Sequence, residues 1–159
     1  MVTKSAFLKY ISQLEPEELT QELEKLFVRI PEVKTYYSME LGSEDNRKKF
    51  YDKGLSKVGA CFFRRGKGNA SPRVQKLNTV IKNIENYSVF EHEIIQFYFD
   101  VLDICSVAEN SVVVTDVYLR FKDNLKVKIS QKIFENKLES TFLQECRQYA
   151  ISSHNHTGK

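Results

Sequence analysis

The sequence predicts an all-α fold, a single domain of seven or eight helices arranged as an antiparallel bundle or a short helical superhelix. Three observations predict it. Apolar residues recur at three- and four-residue spacing through most of the 159 residues. Pro16 and Pro31 stand where the first turn of a helix tolerates proline. The one run rich in β-branched residues, Val112-Val113-Val114-Thr115, reads as a loop leading into a helix, because the residues after it space better at a period of 3.6 than of 2. A hydrophobic content of 42% over this length suffices for one domain with a real core, burying roughly 70% of its unfolded surface. That domain is expected over 1–153, with 154–159 a disordered tail.

The elements follow in order. A first helix after a Thr3 N-cap carries Phe7, Tyr10, Ile11 and Leu14. Pro16 opens a second, with Glu17 and Glu18 at the favourable end of its dipole and Leu19, Leu23, Leu26, Phe27 and Ile30 on its apolar face. Pro31 opens a third with Val33, Tyr36, Tyr37 and Leu41, closed by Gly42-Ser43. A fourth, from Glu44 to Phe63, turns Phe50, Leu55, Val58 and Phe62 inward, although Gly54 and Gly59 weaken it by roughly 1 kcal/mol each relative to Ala. A loop from Arg64 to Pro72 precedes a fifth helix over 72–86, with Val74, Leu77, Val80, Ile81 and Ile84. Ser88 and Glu91 form an S-x-x-E capping box that starts a sixth helix, ending near Ala108 and apolar over most of its circumference, which should be central. A helix from Thr115 to Asn136 places Val117, Phe121, Leu125, Ile129 and Phe134 inward, and a last one spans 138–151.

Charge reverses halfway along the chain. Lys53 to Ile84 holds eight Lys/Arg and no Asp or Glu; Ile84 to Leu119 holds seven Asp/Glu and no Lys or Arg. Like charges close together repel, so the basic block must face water, an internal acidic partner or an external anion. Cys61, Cys105 and Cys146, odd in number and set among apolar neighbours, read as reduced core thiols. The first eleven residues hold no apolar h-region, and no stretch approaches a membrane span, so a cytoplasmic setting without membrane contact is expected.

The pattern Lys4-x-x-x-Leu8-Lys9-Tyr10-Ile11-x-x-Leu14-x-x-Glu17-Glu18-Leu19, followed by Leu26 and Glu32-Val33-Lys34-x-Tyr36-Tyr37, resembles an uncharacterised family of small bacterial all-helical proteins, a domain of unknown function. The Arg/Lys stretch before a Val- and Ile-bearing helix is similar to that family's middle, so the resemblance covers about 4–82. It implies an all-α fold and a bacterial origin. Its motifs are packing motifs and carry over no catalytic residue.

Of the chemical constellations, the basic segment is the first candidate. Arg64, Arg65 and Lys67 sit in a glycine-containing loop, and Arg73 and Lys76 continue onto the next helix, cations reachable along one surface for phosphate neutralisation. Glu93, Gln96, Asp100 and Asp103 form an acidic stripe on the sixth helix. A fold-back of the fifth and sixth helices about Ser88 would pair Lys76 with Asp100 and Arg73 with Asp103, leaving Arg64, Arg65 and Lys67 for an external anion. A metal site on Glu93, Asp100 and Asp103 is disfavoured, because no histidine follows a Glu by three residues as the di-metal bundle signature requires. His92 reads as an isolated helix-surface residue, and the phenylalanines and tyrosines as core. No catalytic residue, cofactor or metal is expected. The function expected is a non-enzymatic interaction module for a protein or peptide partner, with nucleic-acid or other polyanion binding through Arg64, Arg65, Lys67, Arg73 and Lys76 as the alternative.

Overall fold

The computed structural model of the chain describes residues 2–63, 71–142 and 144. The expected all-α fold is the fold observed, with seven α-helices and no strand among the described residues. Contacts divide the chain into two compact units, 1–43 and 44–159.

The first unit holds α1 (Lys4–Ile11), α2 (Pro16–Arg29) and α3 (Pro31–Glu40). Its helix starts are written locally. The Thr3 hydroxyl accepts the Ala6 amide at 3.2 Å, and the Glu15 amide donates to the Glu18 carboxylate at 3.0 Å one turn into α2. Pro16 and Pro31 each occupy the first turn, where a missing N–H costs nothing. α2 packs on α3, with Phe27 against Tyr37 and Tyr37 edge-on to Tyr36.

The second unit is built on α4 (Glu44–Phe62), α5 (Val74–Tyr87), α6 (Glu91–Ala108) and α7 (Asp116–Glu135), with a 3-10 turn at Glu109–Ser111. As expected, α6 is the central helix: it buries nine side chains, from Ile94 to Ala108, and leaves to water a stripe that includes His92, Gln96, Asp103 and Val107. α4 packs against both α5 and α6, and α7 lies along α6. Gly54 makes the first of these approaches close, since a Cβ there would stand 2.8 Å from Ile84 Cδ1 of α5 and 3.1 Å from Phe97 of α6.

Three details differ from the sequence reading. The capping box at Ser88 does not form. The residue before α6 is Phe90, while Ser88 closes α5, its hydroxyl donating to the Ile84 carbonyl at 2.8 Å and accepting from Tyr51 at 3.1 Å. A capping box needs the serine at the N-cap, its oxygen accepting an amide of the first turn, and Ser88 stands two residues before the N-cap of α6, held instead at the end of α5. The inward face of α7 is Tyr118, Phe121, Leu125, Ile129 and Ile133, leaving Val117 and Phe134 exposed at 60% and 76%. The inward face of α4 likewise turns to Tyr51, Gly54, Val58, Cys61 and Phe62, with Phe50 and Leu55 half-buried.

Val112–Thr115 is irregular, as expected, and the Thr115 hydroxyl caps α7 by accepting the Tyr118 amide at 3.3 Å. α7 ends in a Schellman turn. Leu138 and Lys137 donate to the Ile133 and Phe134 carbonyls, and Lys137 takes the left-handed conformation at φ 55°. Residues 138–142 form turns, and the rest of the helix expected over 138–151 lies outside the described residues apart from 144, as do Cys146 and the tail 154–159.

Candidate functional site

The first unit presents the largest departure from a sealed core. Among the described residues of 1–43 only Met39 is buried, whereas Phe7 and Tyr10 on α1, Leu23 and Phe27 on α2, Ile30, and Tyr36 and Tyr37 on α3 are each more than a third exposed. The amphipathic stripe of α2 is the one expected, with Leu23, Phe27 and Ile30 on one side and Gln21 on the other. The core assignment of these aromatics is corrected here. Three short helices in some forty residues are at the limit of what a lone core can seal, and the Phe27–Tyr37–Tyr36 ring contacts, with centroids 6.5 and 5.4 Å apart, form an aromatic cluster left open to solvent.

Of the basic candidates, only Arg73 and Lys76 fall among the described residues. Arg64, Arg65 and Lys67 lie outside the described residues. Arg73 is turned inward: its guanidinium donates to the Ala60 carbonyl and its amide to the Cys61 carbonyl at 3.3 Å, two of the carbonyls that the end of α4 leaves unpaired. Arg73 therefore acts as a C-terminal cap, with its Nε buried and without a hydrogen-bond partner. Lys76 is exposed on α5.

Glu93 and Asp100 of the acidic stripe meet α4 rather than the basic start of α5. Glu93 pairs with Arg47 at 2.7 Å, both side chains more than four-fifths buried, and Arg47 also lies over the Phe90 ring at 4.4 Å. Asp100 accepts from Gln96 at 3.2 Å, and the lysine acting on it is Lys48. The fold-back about Ser88 does not set α5 along α6, because the face of α6 it would need is taken by α4. His92 is exposed on the first turn, its ring 6.0 Å from that of Phe90.

A second polar cluster joins α5, α6 and α7 around a cavity of about 360 Å³. The buried Tyr98 hydroxyl donates to Glu85 at 2.6 Å, Lys128 meets the same carboxylate oxygen at 2.7 Å, and Lys132 pairs with Glu91 at 2.7 Å. Burial, reinforced by Glu85, raises the Tyr98 phenol well above its ordinary range, so it stays a donor. These groups satisfy one another across three helices.

Cys61 and Cys105 are free and buried. Burial raises both thiols, Cys105 to about 11, so neither is an activated nucleophile. No group of three His, Cys, Asp or Glu among the described residues is placed to share a metal ion, and no described helix is long and apolar enough to cross a membrane. No protein-family model, curated protein or solved structure matches the chain.

Proposed function

We propose that the chain is a non-enzymatic helical interaction module that docks a protein or peptide partner on α2 and α3, around Phe27, Tyr36 and Tyr37. The observation that carries this reading is the open aromatic cluster, flanked by Leu23 and Ile30, in a unit with one buried side chain among its described residues. Aromatic side chains are enriched at the centres of interfaces because they bring large apolar area at small entropic cost, and Tyr adds a hydroxyl for the wet rim. Water held against such a surface is released on docking, which supplies the driving force. Five carboxylates between Glu15 and Glu24 against Lys25 and Arg29 give the neighbourhood an acidic bias that would orient a basic partner. The reading includes a reduced, cytoplasmic setting, supported by the two free buried cysteines, and kinship with the bacterial helical family that residues 4–82 resemble.

The test is capture of partners by the full chain and by its Phe27→Glu variant, with circular dichroism checking that the helices remain. A buried interface aromatic commonly carries ~2 kcal/mol, about thirtyfold in affinity, so a partner held by the parent chain should be lost by the variant. Retention of the same partners would refute the reading. Tight binding of oligonucleotides that weakens steeply with salt would favour the polyanion alternative instead.

A further inference from the structure

The apolar stripe of α2 has two unlike flanks. Leu23, Phe27 and Ile30 fall within about 60° of one another around the helix axis and run along it for about 10 Å, each more than a third exposed. Beyond Phe27 the next positions around the helix are Thr20, Glu24, Glu17, Val28 and Gln21, which hold two carboxylates and no cation. On the other flank, past Leu19 and Leu26, come Glu22, Arg29, Glu18 and Lys25, two charges of each sign, with Lys25 and Glu22 paired at 3.2 Å. The uncompensated charge of the helix body therefore lies beside Phe27. Glu17 and Glu24 are exposed, stand two turns apart, and are in no ion pair among the described residues. On α3 the Tyr36 hydroxyl donates to Glu40, and that carboxylate raises the phenol above its ordinary range. A third negative charge thus stands at the aromatic cluster.

We propose that the occupant of this surface is a basic amphipathic helix of another protein, its apolar stripe on Leu23, Phe27 and Ile30 and its lysines or arginines at i and i+7 facing Glu24 and Glu17. Such an occupant presupposes the docking surface on α2 and α3 and adds the chemistry of what docks there. A straight apolar strip two turns long matches helical anchors at i, i+3 or i+4, and i+7. A strand would need an open sheet edge for its main chain, and the described residues form no strand. Nucleic acid and anionic membrane surfaces carry the sign of Glu17, Glu24 and Glu40 and are repelled by them. An acidic helix would set like charges together along the Phe27 flank. A lysine or arginine there lays its hydrocarbon stem beside the Phe27 ring while its head reaches Glu24. Exposed pairs of this kind add little affinity, so they select among helices that the apolar strip already holds.

The experiment is fluorescence polarisation of the full chain with labelled, capped helical peptides of about 20 residues. Three share one apolar stripe and differ only at the two flanking positions, which are Lys, Gln or Glu; a fourth is the Lys peptide with its stripe scrambled. The Lys peptide should bind about fivefold more tightly than the Gln peptide, the Glu peptide most weakly of the three, and the differences should shrink as salt is added. The scrambled peptide should bind far more weakly than the Lys peptide. Glu24→Gln should weaken the Lys peptide about twofold and leave the Gln peptide unchanged, while Glu22→Gln, two residues away on the other flank, should change neither. Phe27→Ala should weaken all three. Equal binding of the Lys, Gln and Glu peptides, still lost on Phe27→Ala, would overturn the basic helix and leave the docking surface standing. Binding of the scrambled peptide as tight as the Lys peptide, equal effects of Glu22→Gln and Glu24→Gln, or no binding of any peptide would also overturn it.

Discussion

The two glycines of α4 should respond oppositely to the same substitution. Gly→Ala in a helix interior is worth about 1 kcal/mol of stabilisation at either position, from lost backbone freedom in the unfolded chain. At Gly59 a Cβ meets nothing within 4 Å, so Gly59→Ala should keep that full gain. At Gly54 the same atom stands 2.8 Å from Ile84 Cδ1 and 3.1 Å from Phe97 Cε2. The Ile84 methyl is a side-chain tip and can turn, but Phe97 is fully buried in α6 and has nowhere to go. Overpacking of a filled core costs about 1–3 kcal/mol, so Gly54→Ala should come out between neutral and about 2 kcal/mol less stable. The two variants should differ by about 1–3 kcal/mol, seen in urea titrations followed by circular dichroism at unchanged slope. In thermal melts this is a gap of roughly 4–12 °C, at about 4 °C per kcal/mol for a unit of this size. Equal stabilisation by both substitutions would refute the packing of α4 between α5 and α6.

Other variants probe single contacts. Asp100→Asn should raise the melting temperature at neutral pH and not at pH 3: the folded-state pKa of Asp100 lies above its unfolded value, so its cost is absent below the ordinary aspartate pKa near ~3.9, grows as pH rises through the raised value, and is fully present above it. Tyr98→Phe removes a 2.6 Å bond to the Glu85 carboxylate and should cost about 1–2 kcal/mol in urea unfolding, limited because Lys128 still holds that oxygen. Lys137→Gly relieves a side chain from φ 55° at the end of α7 and should stabilise by about 1 kcal/mol in the same assay. No change on that substitution would mean α7 does not end in the left-handed turn.

Helix starts were legible because their chemistry is local: Thr3, Pro16, Pro31 and Thr115 act on the turn that follows them, whatever the rest of the chain does. The phase of an apolar stripe is less local. Where two apolar residues are adjacent, as at Val117 and Tyr118 or Ile133 and Phe134, periodicity allows either, and the packed partner chooses the larger Tyr118 and the better-placed Ile133. Helix order along the chain suggested that α5 would lie on α6, but the competition among faces gave α6 to α4, and with it the partners of Glu93 and Asp100. The open cluster of Phe27, Tyr36 and Tyr37 was hidden for a different reason. An amphipathic pattern reveals that a face exists and says nothing of what covers it. The one available signal was length, since the three helices before Ser43 are too short to seal seven large apolar side chains among themselves.

The most direct test of the docking surface is site-specific photo-crosslinking in cells of the chain's origin, with benzoylphenylalanine at position 23 on the apolar side of α2 or at position 21 on its polar side. The account predicts a discrete adduct with another protein from position 23 and none from position 21. Equal labelling from both positions, or crosslinks from position 23 confined to the chain's own residues, would contradict it.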